Sequence, residues 1–146
     1  MKAMNDEVKF NSQICTSVEQ SKRLLELGLK PETADMKHFF DNRNDYSFFH
    51  HWECIPYEWD KEFLVDSENI PAWSLHRLKC LLPTKIPYES GYLTTEIINN
   101  VNLMFLTDTS EQRLISFIHE NLYESMIKCI KWLIKEDYFN KEYLKQ

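Results

Sequence analysis

Hydrophobic positions recur at helical spacing in three stretches of the chain. Between them, short apolar runs are broken by clusters of Asn, Asp and Pro. In ICTSVEQSKRLLELGLKP, residues 14–31, Val18, Ser21, Leu24, Leu25 and Gly28 share one helical face. Thr16 or Ser17 can cap the start, with Glu19 or Gln20 as the return partner of a capping box. Gly28 suits the left-handed position after the helix, Leu29 the apolar contact that closes it, and Pro31 blocks continuation. Glu19 and Arg23 make a favourable i,i+4 pair. Leu75, Leu78, Leu81 and Leu82 form a second stripe, with Pro71 in its first turn and Pro83 as its stop. The third helix is the longest, spanning 121–137. Leu122, Met126, Cys129, Ile130 and Leu133 stack on one side, and Tyr123, Ile127 and Ile134 widen the stripe. Lys128, Lys131 and Lys135 lie opposite, and Trp132 falls on the flank beside them.

The intervening runs predict strands. DNRND separates Met36–Phe40 from Tyr46–Cys54, which reads as a β-hairpin with a loop of about five residues. Pro56 ends the second strand or places it at an edge. Phe63–Val65 predicts a further short strand. GYLTTEIINNVNLMFLT predicts a second hairpin turning at Asn99-Asn100, because asparagine tolerates φ > 0. Residues 110–120 fit either a helix or a continuing strand. This order predicts an α+β fold: a small antiparallel sheet with three to four helices packed mainly on one face. Residues 1–13 read as a flexible N-terminal arm and 14–146 as one globular domain, the usual organisation at this length.

Composition removes several function classes. The 146 residues include 2 glycines, Gly28 and Gly91, too far apart for a dinucleotide fingerprint, a P-loop or a nucleophile elbow. Aromatics reach 14%, which favours a packed body. Mean hydropathy is −0.49, and no apolar run approaches a membrane span. MKAMNDEVKFNSQ lacks the apolar core of a signal peptide. The scattered cysteines Cys15, Cys54, Cys80 and Cys129 make no C-x-x-C pair, so four reduced thiols in a cytoplasmic protein are expected.

Net charge is −6 and unevenly spread. Residues 1–73 carry 14 acids and 8 bases, whereas 74–146 carry 9 of each. Between Glu53 and Glu68 there are six acids against Lys61 alone. Such a body repels phosphate, so nucleic-acid binding is disfavoured. C-terminal lysines Lys128, Lys131 and Lys135 with Trp132 are the one basic, aromatic patch, and they read first as a solvated helix face.

Three stretches taken together, ICTSVEQSKRLLELGLKPETADM, IPAWSL and WLIKEDYFNKEYL, resemble a group of small uncharacterised proteins encoded by phages and mobile elements of gut bacteria. The resemblance implies a bacterial or phage-borne accessory protein of the cytoplasm. It carries no activity and no site residue with it. Residues 37–68 depart from the group.

Candidate chemistry is sparse. HHWEC places His50 and Cys54 on one side of a strand, with His51 and Glu53 on the other, so a metal site would need distant residues to complete it. No metal and no cofactor is expected. Cys54 or Cys80 with His76 or His119 could pair as nucleophile and base. Among these, His76 and Cys80 are i,i+4 on the second helix and form the only locally defined pair. Their competing reading is the edge of a leucine stripe. The segment from Trp52 to Glu68 is the most distinctive: Trp52, Tyr57, Trp59 and Phe63 alternate with acids that include Glu58, Asp60 and Glu62. Aromatics among acids suit a basic protein partner. The competing reading puts the aromatics in the core and the acids on the solvated side. Trp132 adds a candidate self-association surface. The expectation is a non-enzymatic interaction or accessory protein with a protein partner or self-association and no membrane. The alternative is a small hydrolase-like enzyme using dispersed His50, Glu53, Cys54, His76 and Cys80.

Overall fold

A computed structural model describes residues 13–40, 52–56, 68–88, 91–98, 103–107 and 113–146. Among the described residues are three α-helices and seven antiparallel strands, an α+β arrangement as expected. The strands divide into two sheets.

Helix α1 spans Val18–Glu26. Its start is the expected capping box: Ser17 Oγ accepts from Gln20 N, and Gln20 Oε1 accepts from Ser17 N. Its end is also as read. Gly28 has φ 101, its N–H donates to Leu25 O at 3.0 Å, and Leu29 N–H donates to Leu24 O at 3.2 Å. Leu29 is fully buried behind that turn. Pro31 opens a short 3-10 turn, Pro31–Thr33.

Strand β1 (Met36–Phe40) is central in a three-stranded sheet, flanked by β2 (Trp52–Pro56) and β3 (Glu68–Ala72). The expected pairing of the two runs is present for β1 and β2: His38 pairs with Cys54, and Met36 with Pro56, while residues 46–51 of the expected partner run lie outside the described residues. Pro56 is both the last residue of β2 and on an edge strand, where its missing N–H costs no ladder bond. The expected role of Pro71 is corrected. It lies in edge strand β3 opposite Lys37, not in a helix. Helix α2 starts later, at Leu75–Leu81, because Ser74 is its cap and accepts from Arg77 N at 3.1 Å. Asp35 in turn holds Ser74 by its N–H and hydroxyl at 2.9 and 2.5 Å. The expected strand at Phe63–Val65 lies outside the described residues.

The second sheet runs β4 (Lys85–Tyr88), β5 (Gly91–Ile98), β6 (Leu103–Thr107), β7 (Arg113–Ile118) in spatial order. Ile98 pairs with Leu103, so β5 and β6 are the antiparallel arms of the expected hairpin, and its predicted turn at Asn99-Asn100 lies outside the described residues. Within the ambiguous 110–120 stretch, Arg113–Ile118 form strand β7. Helix α3 (Leu122–Lys135) lies against β6 and β7. Asn121 caps it, its side chain accepting from the Tyr123 and Glu124 amides. Met126, Cys129, Ile130 and Leu133 are fully buried, while Lys128, Lys131 and Lys135 are exposed, as the stripe predicts. The helix closes with Asp137 at φ 63, Tyr138 N–H donating to Leu133 O at 2.8 Å. An aspartate thus fills the left-handed position that glycine fills in α1, since aspartate tolerates this conformation better than most residues.

One hydrophobic core joins Leu24, Leu29, Trp73, Leu78, Ile86 and the buried face of α3. The C-terminal strand-like segment ties back to α1, with Lys30 N–H donating to Tyr143 O at 2.9 Å and Lys145 N–H to Gly28 O at 2.7 Å. No helix among the described residues is long and apolar enough to cross a membrane.

Candidate functional site

Trp73, Ser21 and His38, from separate parts of the fold, converge on the segment before α1. Thr16 and Trp73 exchange two hydrogen bonds. Thr16 N–H donates to Trp73 O at 2.8 Å, and Trp73 N–H donates to Thr16 Oγ1 at 3.0 Å. Trp73 Nε1–H donates to Thr33 Oγ1 at 2.9 Å, and the Thr16 and Ser21 hydroxyls meet at 2.7 Å. From β1, His38 Nε2 sits 2.5 Å from Thr16 O and 3.8 Å from Cys15 Sγ. A carbonyl only accepts, so the proton is on Nε2 and Nδ1 is left as an acceptor. That Nδ1 is buried without a hydrogen-bond partner. His38 and Cys15 are only 8% and 3% exposed. Both lie inside the junction, and the cluster ties together α1, β1 and β3.

Cys15 is disulfide-bonded, whereas Cys80 and Cys129 are free thiols. This corrects the expectation of four reduced cysteines. A scattered spacing says nothing about which side chains the sheet brings close. Cys129 is inert by burial, which pushes its thiol up to about 12.

A second polar group joins α1 to α3. Glu124 accepts from the Arg23 guanidinium through both carboxylate oxygens and from Gln20 Nε2 at 2.9 Å. Arg23 holds the Glu124 carboxyl below the usual glutamate range against the opposing effect of burial, and the same contact raises Arg23. Gln13 and Asn121 extend the group at 2.8 Å. Tyr123 donates its hydroxyl to Gln13 O at 3.1 Å, and burial raises its phenol above the ordinary value.

The proposed site residues are dispersed. Trp52 opens β2 opposite Phe40, Glu53 lies opposite Phe39, and Cys54 opposite His38. Tyr57, Glu58, Trp59, Asp60, Glu62 and Phe63 lie outside the described residues, as does His50. Trp132 is half-buried on α3, its ring 6.2 Å from Phe117 and 5.8 Å from Tyr138. His119 accepts the Asn121 N–H on Nδ1 at 2.9 Å, so it shapes the entry to α3. Among the candidate chemical pairs, His76 and Cys80 do meet: Nε2 and Sγ are 3.7 Å apart on the exposed side of α2. A cleft of about 310 Å³ opens elsewhere, lined by Ile134, Asp137, Phe139, Lys141, Leu144 and Lys145. It contains none of the residues proposed for chemistry.

Sequence reasoning missed Thr16, His38 and Trp73 as a unit. They stand 22 and 35 positions apart along the chain, and no periodicity links them. Comparison with known protein families, curated proteins and solved structures returned no match.

Proposed function

We propose that this chain is a non-enzymatic interaction protein, an accessory protein of a phage or mobile element that binds a basic protein partner. The observation that carries the reading is the charge of residues 53–68, six acids and one lysine interleaved with aromatics. Its position in the sheet supports it. The segment begins on β2, an edge strand whose outer side has no strand partner among the described residues. An open edge offers backbone groups to a peptide, and acids beside it select for lysine and arginine. Trp52, Tyr57, Trp59 and Phe63 supply the large, low-entropy contact area that anchors such surfaces. Half-buried Trp132 belongs to a second aromatic group with Phe117 and Tyr138. That group is the candidate for self-association.

The resemblance points to the bacterial cytoplasm, whereas the disulfide at Cys15 points to an oxidising compartment, and the fraction that yields the partner decides between them. Affinity capture from host cells tests the whole reading against a charge-matched control protein. A reproducible basic partner is expected, lost or weakened at least tenfold when Glu58, Asp60 and Glu62 are changed to lysine. Capture equal to the control sinks the proposal, and binding unchanged by the triple reversal rejects this segment as the contact.

A further inference from the structure

Two metal-ligating side chains stand together outside every surface considered above. His76 and Cys80 project from one face of α2, four residues apart, and both are exposed. Their separation is the informative quantity. A tetrahedral zinc bonds thiolate sulfur at about 2.3 Å and imidazole nitrogen at about 2.0–2.1 Å, so the two ligand atoms stand about 3.6 Å apart. The observed Sγ to Nε2 distance is 3.7 Å. As a hydrogen bond this contact is long and weak. As a chelate bite it needs a shift of only about a tenth of an ångström.

We propose that His76 and Cys80 form a two-ligand chelate for a thiophilic divalent cation of the zinc type. Thiolate with imidazole is the donor set that such cations prefer over magnesium or calcium. On binding, the thiol proton of Cys80 leaves to solvent, the neutral imidazole binds through Nε2, and two coordination positions stay with water or an outside donor.

The backbone holds both ligands in place before the metal arrives. Ser74 caps α2 and is itself held by Asp35, while Leu78 and Leu81 bury the opposite side. Arg77, one of the two cations between the ligands in sequence, donates from Nε to Thr33 O at 2.6 Å. The thiolate supplies the negative charge that the dication needs beside Lys79 and Arg77. Both ligands lie on an open helix face with no described pocket, so the pair suits binding better than nucleophilic catalysis.

The full chain is titrated with Co²⁺ in oxygen-free buffer, followed by displacement with Zn²⁺. A thiolate-to-cobalt absorption band is expected, removed by Zn²⁺. Cys80→Ser abolishes the band, and His76→Ala weakens binding at least tenfold. Cys80→His restores binding as a two-histidine chelate without the band. These positions are exposed, and unchanged near-ultraviolet circular dichroism confirms each variant is folded. A wild-type chain with no band at saturating Co²⁺, or a band that persists undiminished in Cys80→Ser, overturns the proposal. So does affinity for Zn²⁺ unaltered by both Cys80→Ser and His76→Ala.

Discussion

Helix α3 and the junction around Trp73 hold the same core by different means. Helix α3 is secured by an apolar stripe: four of its residues are fully buried, and its lysines point to water. At the junction, Trp73 is equally buried in that core, and polar groups fix it in addition. Thr16, Thr33, Ser21 and His38 meet there from four segments of the chain. Apolar burial is non-directional, so many arrangements of the stripe would satisfy it. Hydrogen bonds in a buried site permit one arrangement, because an unpaired donor costs more than a pair gains. The stripe therefore supplies stability, and the junction sets how α1, β1, β3 and α2 meet.

Breaking the two regions in turn sharpens that contrast. The largest effect is expected at the junction. Trp73→Ala removes a fully buried ring and the indole donor to Thr33 Oγ1, a loss of about 3–5 kcal/mol in chemical denaturation. Ile130→Ala removes apolar volume alone, at about 2–5 kcal/mol. Trp73→Phe tells the two apart further: it keeps most of the ring and loses the bond to Thr33. If Trp73→Phe matches wild type, the polar lock is not the distinguishing feature.

Thr16→Val comes next. It keeps shape but removes the acceptor of the Trp73 N–H and the partner of the Ser21 hydroxyl. A cost of about 1–3 kcal/mol is expected, with faster amide exchange at Trp73. A neutral result would mean that the two groups find other partners.

The smallest effect concerns the bridge from α1 to α3. Glu124→Gln should cost about 1 kcal/mol, since the Arg23 side chain is 41% exposed and solvent screens the pair. The sign of its pH dependence follows from the lowered carboxyl. A folded value below the unfolded one gives stability that is complete above about pH 4.3 and is lost as pH falls through the folded value. The difference between wild type and Glu124→Gln should therefore shrink as pH falls below about 4. A gap that stays constant into acid would remove Arg23 as its cause.

Legibility along the chain follows the same contrast. The cap at Ser17 and Gln20, the turn at Gly28 and the buried face of α3 were readable because each rests on neighbours within a few positions. Pro71 was misread because proline suits both a first helical turn and an edge strand, and only pairing with Lys37 selects between them. For the candidate site, the spacing of His76 and Cys80 marked the pair, while the 3.7 Å separation comes from side-chain rotamers on a packed helix. Residues 53–68 announce themselves by charge alone.

By itself the sequence determined the α+β class, the three helices with most of their ends, the buried face of the longest one and the exclusion of glycine-built ligand sites. These depend on local periodicity and on backbone preferences that each residue carries with it. Tertiary structure alone decided the division into two sheets, the polar lock at Trp73, the disulfide at Cys15 and the tie between Gly28 and Lys145. Each of these joins residues distant along the chain through directional bonds. Such bonds have no periodic signature and exist only once the core has brought their partners within reach.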